Sequence, residues 1–175
     1  METWKEFEAN ALTHSGAHHL LAIYEVGLKY GGWARVSDIA RALGITRGSV
    51  SINLRVLKKR GWIETDEHRM VKLSPKGLKA AQAVMAKKAV FKTFLCSVLG
   101  VAELQAEIDS CKVEHLISHP TGQRLVHFMR FVASGDPLVE RMLKRFRRFS
   151  SECPEKKTCD VCKGHCLAEE LQRAS

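Results

Sequence analysis

The stretch from Val36 to Leu73 constrains this chain more than any other, because two helical patterns, two strand patterns and their stops follow one another with little slack. Val36, Ile39, Ala40 and Leu43 recur at the i, i+3, i+4, i+7 spacing of one helix face. Ser37 is the expected N-cap, since its hydroxyl can accept from the unpaired amides of a first turn. Gly44 then offers the left-handed conformation that ends a helix. Thr46 caps a second helix, expected from Arg47 to about Lys59. Its inner face is Val50, Leu54 and Leu57; its outer face carries Arg47, Ser49, Ser51, Asn53 and Arg55. Gly61 stops it, and Trp62-Ile63-Glu64-Thr65 and Met70-Val71-Lys72-Leu73 flank the turn-like Asp66-Glu67-His68-Arg69. Two short helices joined by a glycine turn, followed by a small hairpin, predict a winged helix-turn-helix.

In that motif the second helix enters the major groove of double-stranded DNA. The residues expected to face the groove are Arg47, Ser49, Ser51, Ile52 and Arg55, with Thr46 at the helix start and Arg69 on the wing. Arg47 and Arg55 are suited to a guanine edge, where a guanidinium can donate twice. The formal net charge of +9 favours a polyanionic partner without identifying one. No apolar run approaches the roughly 20 residues that span a bilayer. The acidic start at Glu2, Glu6 and Glu8 lacks the apolar core of a signal peptide, so the expected compartment is the cytoplasm. In that compartment the six cysteines read as thiolate ligands or buried thiols before disulfides.

Around this unit the chain reads as helical. A first helix is expected over His14 to Lys29, with Leu20, Ile23, Tyr24, Gly27 and Leu28 on one face. Ser74-Pro75 opens a long helix, serine as N-cap and proline at the first position, running to Leu99 before Gly100. A further helix is expected from Val101 to Ser118, ending before His119-Pro120. On it Cys111, Glu114 and His115 stand at i, i+3 and i+4 and so share a face. Thiolate, carboxylate and imidazole together make half a site for a transition metal; the bland reading is a buried cysteine beside a solvated Glu–His pair. Leu125, Phe128, Met129 and Val132 form the next stripe. Asp136-Pro137 then caps a basic amphipathic helix carrying Leu138, Met142, Leu143, Phe146 and Phe149, whose apolar side suits a partner subunit.

Over roughly residues 17–148 the sequence resembles the metal-dependent repressors of the diphtheria-toxin-repressor type. The resemblance rests on Ile23-Tyr24-Glu25, Val36-Ser37-Asp38-Ile39-Ala40, Leu73-Ser74-Pro75-Lys76-Gly77 and Cys111-Lys112-Val113-Glu114-His115-Leu116, in that order. It implies a homodimer that binds a palindromic operator when a divalent metal is bound, and a helical dimerisation domain. It carries ligand roles onto Cys111, Glu114 and His115, onto His18 near the start of the first helix, and onto Glu107. Ferrous iron is the favoured ion. Relatives place a histidine and a glutamate on the long helix where this chain has Lys88 and Lys92. An ammonium offers no lone pair and repels a cation. The resemblance therefore implies that a second metal position is lost, and Lys88 is a candidate to neutralise Glu107 or Glu114 without any ion.

The last residues depart from the pattern. Cys153, Cys159, Cys162 and Cys166 have the spacing C-x5-C-x2-C-x3-C, which resembles the four-iron cluster loop of some DNA glycosylases with shorter outer gaps. Four thiolates complete a [4Fe–4S] cluster or a zinc site, with His165 as a substitute ligand in the latter. Free thiols in a tail are the bland reading. The expected architecture is mainly α: a winged helix-turn-helix over residues 1–78, a helical dimerisation and metal-sensing domain over 79–150, and a Cys-rich metal-binding tail over 151–175. The expected function is sequence-specific transcriptional regulation, chiefly repression, answering to a transition metal or to iron–sulfur status. The alternatives are a metal-insensitive DNA-binding protein with a zinc tail and, of another class, an iron–sulfur enzyme acting on nucleic acid. Nothing in the sequence suggests general acid–base work or a phosphate loop, so a non-enzyme is expected.

Overall fold

The computed structural model describes residues 12–149, which divide between Phe131 and Val132 into two compact units. The first begins with α1 (His14–Gly27), capped by Thr13, whose hydroxyl accepts from the Gly16 amide at 3.1 Å. Next come α2 (Val36–Leu43) and α3 (Arg47–Lys59), separated by Gly44 at φ +66°. That left-handed residue turns the chain between the two helices, a conformation glycine adopts without steric cost. Thr46 caps α3 by accepting from the Ser49 amide at 3.1 Å. Strands β1 (Ile63–Thr65) and β2 (Val71–Leu73) pair antiparallel, Ile63 opposite Leu73 and Thr65 opposite Val71. Val71 also exchanges two backbone hydrogen bonds with Ala34, which ties the wing to the segment before α2.

The winged helix closes over one apolar core. Leu20 and Ile23 of α1, Ile39 of α2, Val50, Leu54 and Leu57 of α3, Trp62, Ile63 and Val71 of the hairpin and Ala81 beyond it are all buried together. Fully burying each Leu, Ile or Val contributes about 1.5–3 kcal/mol, so this cluster is the main source of the unit's stability.

Helix α4 (Pro75–Ser97) starts inside that core. The buried Ser74 hydroxyl accepts from the Gly77 amide at 3.1 Å and donates to the Gly61 carbonyl at 2.7 Å, joining helix start to hairpin start. Gly100 at φ +72° turns the chain into α5 (Glu103–Val113), which packs along α4. Helix α6 (His119–Val132) follows. In the second unit Asp136 accepts from the Leu138 amide at 2.7 Å at the start of α7 (Pro137–Phe149). Among the described residues no helix is long and apolar enough to cross a membrane.

Four local expectations change. Arg35, not Ser37, occupies the extended cap position of α2, so the helix begins at Val36 and Ser37 lies within its first turn. Helix α1 ends at Gly27, and Leu28 is largely exposed at its C-cap instead of facing the core. The helix expected over 101–118 is shorter at both ends: 101–102 are not helical, and turns replace it beyond Val113. Helix α6 begins at His119, before the apolar stripe, because the Ser118 hydroxyl accepts from the Thr121 amide and Pro120 falls in the first turn, where no amide is missed.

Candidate nucleic-acid interface and metal centre

Helix α3 presents Arg47, Ile52 and Arg55 to solvent. Two adjoining hollows lie between this helix and the wing. One is lined by Ser51, Arg55, Lys58, Thr65 and Arg69, the other by Arg35, Arg47, Ser51, His68 and Arg69. Arg47, Arg55 and Arg69 are thus gathered round one concave, cationic surface. Lys58, Arg35 and His68, which the sequence reading left out, join it; their only sequence signal was basic character next to the motif. Arg69 holds φ +60° at the hairpin tip, an uncommon conformation for a non-glycine, while the Asp66 carboxylate accepts from the Met70 amide at 2.7 Å.

Three hydroxyls on α3 are engaged locally. Thr46 and Ser49 share a hydroxyl contact of 2.9 Å within the cap, and Ser51 donates to the Arg47 carbonyl at 2.8 Å. Asn53 does not face outward as expected. Its amide nitrogen donates to the Ser49 carbonyl at 3.1 Å, and its oxygen accepts from the Ser15 hydroxyl of α1 at 3.2 Å. The recognition helix is therefore hydrogen-bonded to the first turn of α1.

That first turn carries the second cluster. His14 and His18 stand one turn apart, and their rings meet edge-on with centroids 4.4 Å apart. His18 Nε2 lies 3.3 Å from Cys111 Sγ on α5. One donor atom from each of His14, His18 and Cys111 lies within 4.8 Å of the others. His115 Nδ1 approaches His14 Nδ1 at 3.4 Å. Glu114 is fully buried, and neither carboxylate oxygen has a hydrogen-bond partner. Leaving a buried carboxylate unpaired is costly, and a cation beside it removes the cost. Burial raises the Glu114 carboxyl above its ordinary range, with Lys88 and Lys87 opposing that shift. Burial likewise raises the Cys111 thiol, aided by Glu114. Burial and the neighbouring His14 lower His18, and the same two causes lower His115, which favours the neutral imidazoles that bind metals. Imidazole nitrogens, a sulfur and an orphaned carboxylate are a donor set that fits a divalent transition metal.

Glu107 is engaged by lysines instead, although its charge is felt by Cys111 and Glu114. Lys88 Nζ reaches one of its oxygens at 2.6 Å and Lys92 Nζ the other at 3.0 Å, while Lys92 also reaches Glu103 at 3.2 Å. The hydrogen bonds from Lys88 and Lys92 hold the Glu107 carboxyl below the usual range. So the structure brings His18 and Cys111 together with His14, sets His115 against His14, buries Glu114 nearby in the chain, and engages Glu107 with the two lysines of α4. Sequence reasoning missed His14, although the spacing His14-x-x-x-His18 on an expected helix was its signal. Cys153, Cys159, Cys162 and Cys166 lie outside the described residues.

The chain is similar to known proteins. Residues 74–144 match the family model described as the iron dependent repressor, metal binding and dimerisation domain, and residues 17–70 match the MarR family. The HTH-type transcriptional regulator MntR of Lysinibacillus sphaericus is 28% identical over 130 residues, covering 74% of this chain and 92% of that protein. MntR of Bacillus pumilus is 30% identical over 105 residues, covering 60% of this chain and 72% of that one. The crystal structure of T. acidophilum IdeR aligns with a TM-score of 0.54 at 25% identity, over 65% of this chain and 53% of that chain, so this chain spans about half its length. A winged helix with a cationic second helix, joined to a match for a metal-binding dimerisation domain, leaves one assignment: the chain belongs to the metal-dependent transcriptional repressors of the diphtheria-toxin-repressor type.

Proposed function

We propose that this repressor binds a palindromic operator as a homodimer when a divalent transition metal joins α1 to α5. The observation that carries the reading is the convergence of His14 and His18 with Cys111, three residues before a buried Glu114 carboxylate that has no hydrogen-bond partner. A bound cation would supply charge for that carboxylate and bonds linking the two helices. The chain's own residues do the rest. His14 and His18 flank Ser15, so ordering this turn fixes the hydroxyl that holds Asn53 and, through it, α3. Arg47 and Arg55 on α3 then read base edges, and Arg69 and Lys58 approach the phosphates. Two recognition helices about 34 Å apart engage successive major-groove faces. Metal that prefers this form shifts the population towards it.

Exposed apolar side chains support the homodimer. Leu104 and Ile108 are one turn apart on α5, and Phe128 and Phe131 are neighbours on α6. A face of this kind exposed on several helices suits burial against a second copy. The expected organisation is residues 1–78 for DNA, 79–150 for sensing and dimerisation, and 151–175 as a tail. On the cysteine spacing alone, that tail is proposed to hold one metal centre, an iron–sulfur cluster before zinc. Brown colour and acid-labile sulfide in anaerobic protein, lost in Cys159→Ala, test that centre.

The lysine–glutamate contacts favour a second reading, in which α4 and α5 are held together without any ion and DNA binding is insensitive to metal. Operator titrations with and without a strong chelator, followed by restoration with ferrous, manganous or zinc ions, decide between them. Binding that falls with chelator and returns with metal supports the switch; binding unmoved by either supports the metal-insensitive form.

A further inference from the structure

We propose that His14 is a ligand in its own right, making the site a two-imidazole, one-thiolate centre for a borderline-soft divalent ion of the zinc, cobalt or ferrous class, and not an oxygen-rich centre for manganese. The inference rests on the metal-dependent reading above and deepens it.

Geometry comes first. Histidines four apart on a helix project from the same face, so α1 offers two nitrogens to one point. Thr13 sets that start by capping the helix, which orders His14 at its first residue. The third donor arrives from α5, with Cys111 Sγ 3.3 Å from His18 Nε2. His14, His18 and Cys111 are the one such group of histidine, cysteine and carboxylate side chains found close enough to hold an ion among the described residues. A fourth donor could come from just after α5, where His115 Nδ1 lies 3.4 Å from His14 Nδ1 and the buried Glu114 carboxylate has no hydrogen-bond partner.

The oxygen donors tell the other half. Manganese and magnesium favour carboxylate, carbonyl and water ligands, usually six, whereas thiolate and imidazole suit zinc, iron, cobalt and nickel. Glu107, the remaining carboxylate nearby on α5, has both oxygens engaged by Lys88 and Lys92. Recruiting it would take from Lys88 its paired carboxylate and leave Lys92 with Glu103 alone, beside an incoming cation. The lysines therefore remove one hard ligand and repel a second ion, while the histidine pair adds a softer one.

Affinity order alone would not decide the matter, because zinc outranks manganese at almost any nitrogen or sulfur site. The informative readouts are the identity of the ligands and the spectrum of the bound ion. Full-length protein with Cys153, Cys159, Cys162 and Cys166 changed to serine isolates the helical site. Cobalt(II) added to it is expected to give an intense near-ultraviolet thiolate-to-metal band and tetrahedral visible bands, both abolished by Cys111→Ser. His14→Ala is expected to weaken zinc binding by calorimetry on the order of tenfold or more, with the unfolding midpoint unchanged, while Glu107→Gln changes it by less than about threefold. Zinc affinity indifferent to His14→Ala, or a Glu107→Gln loss as large as that of His14→Ala, overturns the assignment. Operator binding measured on the same proteins separates this claim from the switch. Metal-dependent operator binding by His14→Ala at the same zinc concentrations as wild type, with zinc affinity unchanged, overturns the ligand alone. Zinc held through His14 without effect on the operator upholds the ligand and overturns the switch.

Discussion

At Gly77 an added Cβ would stand 1.9 Å from the Trp62 carbonyl oxygen, a distance no side chain tolerates. The first turn of α4 therefore lies directly on the backbone of the hairpin, and Ser74 stitches the two together. Gly77→Ala must push backbone from backbone, so a loss of about 3 kcal/mol or more is expected, read as a lower urea midpoint. On the DNA side the residues proposed to decide binding are arginines. Arg47→Ala or Arg55→Ala is expected to weaken operator binding by about 1–3 kcal/mol at fixed salt, with a flatter preference among operator variants. Unchanged affinity and specificity in both variants would remove α3 from base reading. Ser51 and Ser49 are expected to matter less, because their hydroxyls are occupied within the helix.

At the scale of the element, the helix-turn-helix and its wing were readable from sequence because every signal in them is local. Val50, Leu54 and Leu57 mark the inner face of α3, Thr46 its start, and Gly44 and Gly61 its borders. The bounds of α5 and α6 were less readable, since the break after Val113 depends on Ser118 capping α6 across Pro120. The orientation of Asn53 was unreadable: its partner, Ser15, is far away in sequence. His14 was visible as a spacing, but only the approach of Cys111 from α5 shows which histidines meet.

The Ser15–Asn53 contact is expected to transmit metal occupancy to α3. Asn53→Ala should leave zinc affinity by calorimetry near wild type and shrink the metal-dependent gain in operator affinity; an undiminished gain would exclude the contact as a link. The α4–α5 contacts carry a pH signature. Glu107, faced by Lys88 and Lys92 with Glu103 beside them, has a depressed carboxyl pKa in the folded chain. Its contribution is complete above the unfolded-state value of about 4.3 and is lost as pH falls through the lower folded value. The melting temperature of wild type should thus drop more steeply in acid than that of Glu107→Gln, the two curves converging at the acid end. Parallel curves would show that the lysines add nothing. Because these groups are largely solvent-facing, the effect is small and fades with added salt.

In the whole molecule, the surface proposed to read DNA and the histidine–cysteine cluster are expected to be two sites sharing one free energy. A repressor switched by metal must obey linkage: if metal raises operator affinity by some factor, the operator raises metal affinity by the same factor. A coupling of about 1–3 kcal/mol, or roughly 5–150-fold, is the usual range. The direct measurement is calorimetric zinc affinity of the full-length protein, with the four tail cysteines replaced by serine, taken alone and saturated with operator DNA. Zinc is expected to bind more tightly in the presence of operator, by the factor with which zinc tightens operator binding, and scrambled DNA should reproduce little of it. Zinc affinity indifferent to the operator would contradict the switch, however tightly each ligand binds by itself.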